Sequence, residues 1–202
     1  MAVDRLTVNY RIDGLRNPSV IDEAWRTAHR ALELDDTDAW SHQAMGYACF
    51  GRGQSQLAGL HFDRAFGLNP NDVNIAADRA NWLNCSGRSE EALLCLDVAM
   101  QRDPHPPAWA WEILGSVLYE LRRYDQAIAA FLKAGEEPWW MLAHLAAAYA
   151  QNGQLENARN ELARLRKMKP DVTLDTFARL TIYEDRNCAE HLLDGLRKAG
   201  ME

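Results

Sequence analysis

Small apolar residues recur along the chain at a fixed distance of 34 residues. The pairs at this spacing are Gly53 and Gly87, Ala58 and Ala92, Ala65 and Ala99, and Pro70 and Pro104. A period of this length, with small residues inside it and proline at its end, is typical of stacked helix-turn-helix units. The pattern predicts an all-α repeat array. It therefore directs the search for function to a binding surface.

Close packing explains why these residue types recur. Each unit is expected to be two antiparallel helices, and neither helix buries its apolar stripe until neighbouring units stack. Alanine and glycine at the crossing points let the helix axes approach, while Phe62, Phe131 and Leu96 fill the space around them. Proline after the second helix ends that helix, and a following Asn or Asp caps the next one, as in the stretch 68–72.

One stretch carries a recognisable signature. From Ala108 the chain reads AWAWEILGSVLYELRRYDQAIAAFLKA, in which the order W-x2-L-G, Y-x2-A-x3-F-x2-A is complete. This order resembles the tetratricopeptide repeat. The resemblance implies a right-handed superhelical solenoid of antiparallel helix pairs, forming a single domain over 1–202. The predicted parts are a degenerate unit at 5–38, repeats at 39–72, 73–107, 108–138 and 139–170, and capping helices at 171–202.

Composition and charge narrow the function classes. The chain has 202 residues, 48% of them hydrophobic and 25% charged, with a net charge of −7. This composition is that of an ordinary globular protein, and a negative net charge disfavours binding to nucleic acid. The longest apolar stretches fall short of the roughly 18 residues of a membrane span. The mixed charges of the first 14 residues favour a cytoplasmic location without a membrane partner.

Candidate chemistry is sparse. The four cysteines form no C-x-x-C motif and are interpreted as reduced, packing thiols, and the six histidines lack paired metal-ligand spacing. No phosphate-binding loop or nucleophile motif is visible. We therefore expect neither a cofactor nor an enzymatic activity. A catalytic constellation assembled from separate repeats stays open as the alternative.

The resemblance also implies a groove. In this family the concave face is lined by the second, fifth, ninth and twelfth residues of each first helix. Carrying those positions over gives a candidate partner-binding groove with an aromatic and amide character: Trp40, Gln43, Tyr47, Phe50, Asn74, Asn81, Asn84, Trp109, Glu112, Ser116, Tyr119 and Trp140. Exposed aromatic residues beside amides suit a peptide or helix ligand. The alternative for the tryptophans is packing against the preceding repeat.

A narrower resemblance begins near Asp36 and runs to the end. Its most specific part is the closing segment LDGLRKAG at 193–200, which is similar to the C-terminal repeat segment of bacterial class III nucleotidyl cyclases and winged-helix regulators. Three hypotheses follow. The first is a non-catalytic module that binds a partner protein or peptide of unknown identity in its groove. The second is a regulatory domain belonging to, or detached from, a cyclase or winged-helix regulator. The third is a self-assembling scaffold, hence a homo-oligomer.

Overall fold

The structure is a computed structural model that describes residues 18–103, 105–135, 138–180 and 183–202. Within these ranges it contains eleven α-helices and no strand, so the predicted all-α class is confirmed. The helices are α1 (Pro18–Leu34), α2 (Ala39–Gly51), α3 (Ser55–Leu68), α4 (Val73–Cys85), α5 (Ser89–Arg102), α6 (Ala108–Glu120), α7 (Tyr124–Ala134), α8 (Trp139–Gln151), α9 (Leu155–Met168), α10 (Leu174–Leu180) and α11 (Arg186–Ala199). The helix predicted around residues 8–15 and the repeat-ending Pro104 lie outside the described residues.

Helices α2 to α9 form four successive helix pairs. The first helices start at residues 39, 73, 108 and 139, which are the first residues of the four predicted repeats. The N-terminal degenerate unit contributes α1, which packs against α2. The chain divides into two compact units, Met1–Arg79 and Ala80–Glu202, with the division inside α4. We call them unit 1 and unit 2 and describe each separately.

Short side chains from the loops start several of these helices. The Asp38 carboxylate accepts a hydrogen bond from the Ser41 amide at 2.8 Å, at the start of α2. Asp72 accepts one from the Asn74 amide, also at 2.8 Å, at the start of α4. An aspartate in this position satisfies amides that have no partner within the helix. These caps are local, which is why the sequence predicts the helix starts so closely.

In the first and third helix pairs, a glycine of the first helix lies against a phenylalanine ring of the second. A Cβ atom on Gly46 would lie 2.9 Å from the Phe62 ring, and one on Gly115 would lie 2.6 Å from the Phe131 ring. Ala80 and Leu96 occupy the same positions in the second pair, and Ala146 and Leu162 do so in the fourth; their exposed fractions are 2% or less. The predicted packing of small beside large residues is therefore confirmed.

Replacing Gly115 by alanine tests this contact. The added methyl group must push the Phe131 ring out of its position, so we expect a loss of about 2 kcal/mol in the free energy of unfolding. Gly67 is the matched control, because it lies in α3 with no atom within 4 Å of an added Cβ. Gly67→Ala should be neutral or stabilising by up to about 1 kcal/mol. Urea denaturation followed by circular dichroism measures both, and equal effects would contradict the close contact.

Candidate partner-binding surface

Four predicted groove residues of unit 2 form one connected strip on its first helices. Trp109, Glu112 and Ser116 lie on α6 at helical spacings of three and four residues, so they share a face. Trp140 lies in the first turn of α8, and its indole N–H donates to Glu112 Oε1 at 2.6 Å. All four side chains are half-buried. We call this set the aromatic strip; it offers two partly accessible indole rings beside a carboxylate.

Two predicted groove residues of unit 1 point inward instead. Gln43 and Tyr47 on α2 both donate to the carboxylate of Asp78 on α4. Gln43, Tyr47 and Asp78 are 1%, 6% and 2% exposed. Since a buried carboxylate is costly without hydrogen-bond donors, these side chains serve to satisfy Asp78. Their prediction as surface residues is corrected.

Two further predicted groove residues are buried in unit 2. Asn84 is 1% exposed and accepts a hydrogen bond from the Ser89 hydroxyl at 2.7 Å, which ties the end of α4 to the start of α5. Tyr119 is fully buried, and its hydroxyl donates to the backbone carbonyl of His191 at 2.9 Å. Neither side chain is available to an external ligand, so both are corrected as well.

The remaining predicted residues keep some accessibility. Trp40 is 40% exposed at the start of α2. Phe50 and Asn74 in unit 1 and Asn81 in unit 2 are half-buried. The Cys85 thiol lies 4.0 Å from the Asn81 side-chain oxygen. Together with the aromatic strip, these residues stay candidates for contact with a partner.

Helix α11 covers the ends of the first helices in unit 2. It packs mainly against α8, and it also contacts α9 and α10. Its residues meet a set of four side chains from the last turn of α6 and from α8, which we call the docking face: Tyr119, Glu120, Ala147 and Gln151. The sequence predicts capping helices that cover the last apolar face. The structure instead places α11 on the first-helix side, where the groove was expected.

The segment before α11 is anchored at the end of α4. The backbone amides of Glu184 and Asp185 lie 2.9 Å and 3.3 Å from the carbonyl oxygen of Cys85, to which they donate. The Ser86 hydroxyl donates to the Glu184 carboxylate at 3.3 Å. Asp185 then caps α11 by accepting from the Asn187 amide at 2.7 Å. Because carbonyls at a helix end lack partners within the helix, Cys85 is a natural anchor.

His191 is the polar centre of this contact. Its Nδ1 lies 3.1 Å from Glu120 Oε2, and its Nε2 lies 3.0 Å from the Tyr124 hydroxyl. The imidazole ring stacks on Tyr119 with a centroid distance of 4.5 Å. Since a carboxylate only accepts, Nδ1 donates to Glu120, and in the neutral tautomer Nε2 accepts from Tyr124. These contacts fix both the position and the rotation of α11.

Three titratable groups around this contact, Tyr119, Cys188 and Cys85, have raised pKa values. Burial, with help from the Glu120 carboxylate, raises the pKa of the Tyr119 phenol, so its hydroxyl stays a donor. Burial and then Glu120 also raise the pKa of the Cys188 thiol to about 12. Burial likewise raises the pKa of the Cys85 thiol. Because the thiolate is the reactive form, neither cysteine is activated as a nucleophile.

The combination of Cys188, His191 and Glu120 resembles a nucleophile, a base and an orienting acid. An activated nucleophile needs its base within hydrogen-bonding reach. Here the free imidazole nitrogen of His191 faces the Tyr124 hydroxyl instead. Over the described part of the chain, no three His, Cys, Asp or Glu side chains are arranged to hold a metal ion. The contacts that the structure shows for His191 are those with Glu120, Tyr124 and Tyr119.

Unit 1 carries an open pocket of about 400 Å³ between α1, α2 and α3. Its lining is mostly apolar and aromatic: Trp25, His29, Leu32, Glu33, Met45, Leu57 and His61. Burial and the neighbouring His42 ring lower the pKa of His61. None of the predicted groove residues lines this pocket, so it is separate from the predicted groove.

Sequence reasoning missed the residues that hold α11. Glu120, Gln151, His191 and Asp194 belong to no repeat position that the family signature marks, whereas Tyr124 is the tyrosine of that signature. The one available signal was the regular apolar spacing of Leu192, Leu193, Leu196 and Ala199, which predicts a helix with one buried face. That spacing does not say which face of the repeats it covers.

Comparison with known proteins agrees with this fold. Residues 110–134 match the family model of the tetratricopeptide repeat. A search of the curated proteins finds no significant match. Several solved structures are similar, among them pilF, YrrB and MamA. The first is pilF of Pseudomonas aeruginosa, with a TM-score of 0.64 and 20% identity over 95% of this chain and 90% of that chain.

The second similar structure is YrrB, a tetratricopeptide repeat protein with an unusual peptide-binding site. Its TM-score is 0.57, with 19% identity over 85% of this chain and 90% of that one. MamA has a TM-score of 0.54 and 19% identity over 77% of this chain and 92% of its own. The chain thus has the tetratricopeptide repeat fold, and its residues 110–134 match the repeat model of that family. Among the described helices, none has both the length and the apolar content needed to cross a membrane.

A glycine pair tests the anchor before α11. Gly87 and Gly153 both follow a first helix of unit 2, with φ angles of 79° and 78°. An added Cβ meets the Asp185 side chain at Gly87 but nothing within 4 Å at Gly153. Gly153→Ala should cost about 1 kcal/mol from the backbone conformation alone. Gly87→Ala should cost about 1 kcal/mol more, because it also displaces Asp185.

Denaturation gives the two stabilities, and hydrogen exchange gives the protection of α11. We expect faster exchange of the α11 amides in Gly87→Ala only. Equal stability losses with unchanged α11 protection would show that residues 184–185 contribute nothing to the anchoring of the helix.

Proposed function

We propose that this protein is a non-catalytic interaction module and that unit 2 binds a partner peptide or helix on its first-helix side. Tetratricopeptide repeats form protein-interaction modules. The observation that carries the proposal is the aromatic strip, in which Trp109 and Trp140 are partly accessible beside Glu112. Tryptophan supplies large contact area and is enriched among the residues that dominate binding energy.

Further features support this proposal. The peptide-binding site of YrrB, a protein of similar fold, makes peptide recognition a reasonable expectation here. The raised pKa of Cys188 and the contact of His191 with Tyr124 support the absence of catalysis. Four free cysteines fit a cytoplasmic location. We take neither nucleic acid nor a membrane surface as the partner, because the net charge is negative.

A peptide selection with variants tests the strip. Peptides selected from a random library on the intact protein are synthesised, labelled and titrated by fluorescence anisotropy. The double variant Trp109→Ala/Trp140→Ala should weaken their binding by at least about tenfold, because two anchoring rings are lost. Its free energy of unfolding should fall by less than roughly 1.5 kcal/mol, since both rings are only half-buried.

The matched control truncates two apolar residues on second helices. Leu94 and Leu132 are 68% and 54% exposed, and Leu94→Ala/Leu132→Ala should leave the peptide affinity unchanged. Two results would contradict the proposal. One is unchanged affinity in the tryptophan variant. The other is a loss of about 3–5 kcal/mol per truncation, which would make the tryptophans packing residues.

A further inference from the structure

Helix α11 meets the docking face in the way that a bound ligand helix does. It lies outside the four repeats in sequence, yet it packs against the first helix of the last repeat and reaches the end of α6. One face of α11 is apolar and buried, with Leu192, Leu196 and Ala199 each 1% exposed or less. Helix α11 belongs to none of the four helix pairs, which are formed by α2 to α9.

A glycine sets the closeness of this contact. An added Cβ on Gly195 would lie 2.5 Å from the Tyr119 hydroxyl and 2.8 Å from the Ala147 Cβ. Only a residue without a side chain fits there while the helix keeps its position. The docking face therefore selects helices that present a glycine between larger apolar residues, as in the sequence LLDGL at 192–196.

Polar contacts on both sides of Gly195 fix the register. The Gln151 amide donates to Asp194 at 3.0 Å, and the Lys198 ammonium donates to the Gln151 side-chain oxygen at 2.9 Å. Hydrogen bonds from Lys198 and Gln151 lower the pKa of the Asp194 carboxyl group. Three residues before Asp194, the His191 carbonyl accepts a hydrogen bond from the Tyr119 hydroxyl. The docking face therefore contacts α11 through polar groups at three positions: the His191 carbonyl, the Asp194 carboxylate and the Lys198 ammonium group.

We propose that the docking face is a binding site for amphipathic helices of this class, and that α11 is an intramolecular occupant which a partner helix displaces. The partner carries leucines around a glycine, with an acidic residue before the glycine and a basic residue four positions after the acidic one. This inference rests on the proposed function, because it assumes that partners bind on the first-helix side of unit 2. Displacement of α11 then regulates access to that side.

The test uses a labelled synthetic peptide of residues 183–202 and the full-length chain. In the variant Gly195→Leu, the chain's own α11 no longer fits, while the docking face is unaltered. We expect the peptide to bind this variant at least tenfold more tightly than it binds the wild-type chain. Gly67→Leu is the matched control, because a side chain at that helical glycine meets open space. It should bind the peptide as weakly as wild type.

A second variant covers the case in which Gly195→Leu does not fold. Asp194→Ala/Lys198→Ala removes polar contacts from α11 alone, and both side chains are about half exposed. This variant should also bind the peptide more tightly than wild type, and its α11 amides should exchange faster. A peptide carrying the Gly195→Leu change should bind none of the chains. That result would show that the docking face requires a glycine at this position.

The proposal is overturned if Gly195→Leu keeps its helical circular dichroism and binds the peptide no better than the Gly67→Leu chain. It is equally overturned if Gly195→Leu unfolds and the Asp194→Ala/Lys198→Ala chain, although folded, binds no better than wild type. If these tests of the docking face fail while library peptides still bind at the aromatic strip, only the inference about α11 is contradicted. If peptide 183–202 binds as expected but no library peptide binds at the aromatic strip, only the proposed role of the strip is contradicted.

Discussion

The close approach of the two helices in each pair determines where every candidate surface lies. Phe62 and Phe131 can sit against the preceding helix only because Gly46 and Gly115 have no Cβ. That contact fixes the rotation of the first helix about its axis, and the rotation decides which side chains point away from the second helix. In unit 2 those side chains form the aromatic strip, from Trp109 to Ser116 on α6 and at Trp140 in the first turn of α8. They also form the docking face, at the end of α6 and in the second half of α8. A shift of one residue in either helix would exchange these faces for buried ones.

The sequence predicted the four helix pairs closely because their signals are local. Asp38 and Asp72 cap helices that begin within three residues, and the spacing of Gly115 and Phe131 lies within one pair. The site was predicted less well because its decisive contacts are not local. Tyr119 is buried by His191, 72 residues later, and no periodicity links the two. Gln43 and Tyr47 turn inward for the same kind of reason, since Asp78 requires hydrogen-bond donors.

The position of a residue within the repeat therefore indicates which side of the helices it lies on, whereas its neighbours in the structure determine whether it is accessible. The family positions correctly place Trp109, Glu112 and Trp140 on connected first helices, and the hydrogen bond from Trp140 to Glu112 joins them directly. The same family positions also placed Tyr119 on the first-helix side of unit 2. Tyr119 does face the region where a ligand was expected. It is buried because a helix of the same chain already lies there.

The division of unit 2 into an open strip and an occupied docking face limits how a partner can bind. A helix tethered to its own site acts at an effective concentration in the millimolar range. A partner that made only the contacts of α11 would therefore need a similar concentration to displace it. A partner that also reaches Trp109 and Trp140 gains contacts that α11 does not make with those rings' exposed surfaces. Since both sets of residues lie on α6 and α8, one extended ligand can span them, and the strip would then supply the free energy that displaces the helix.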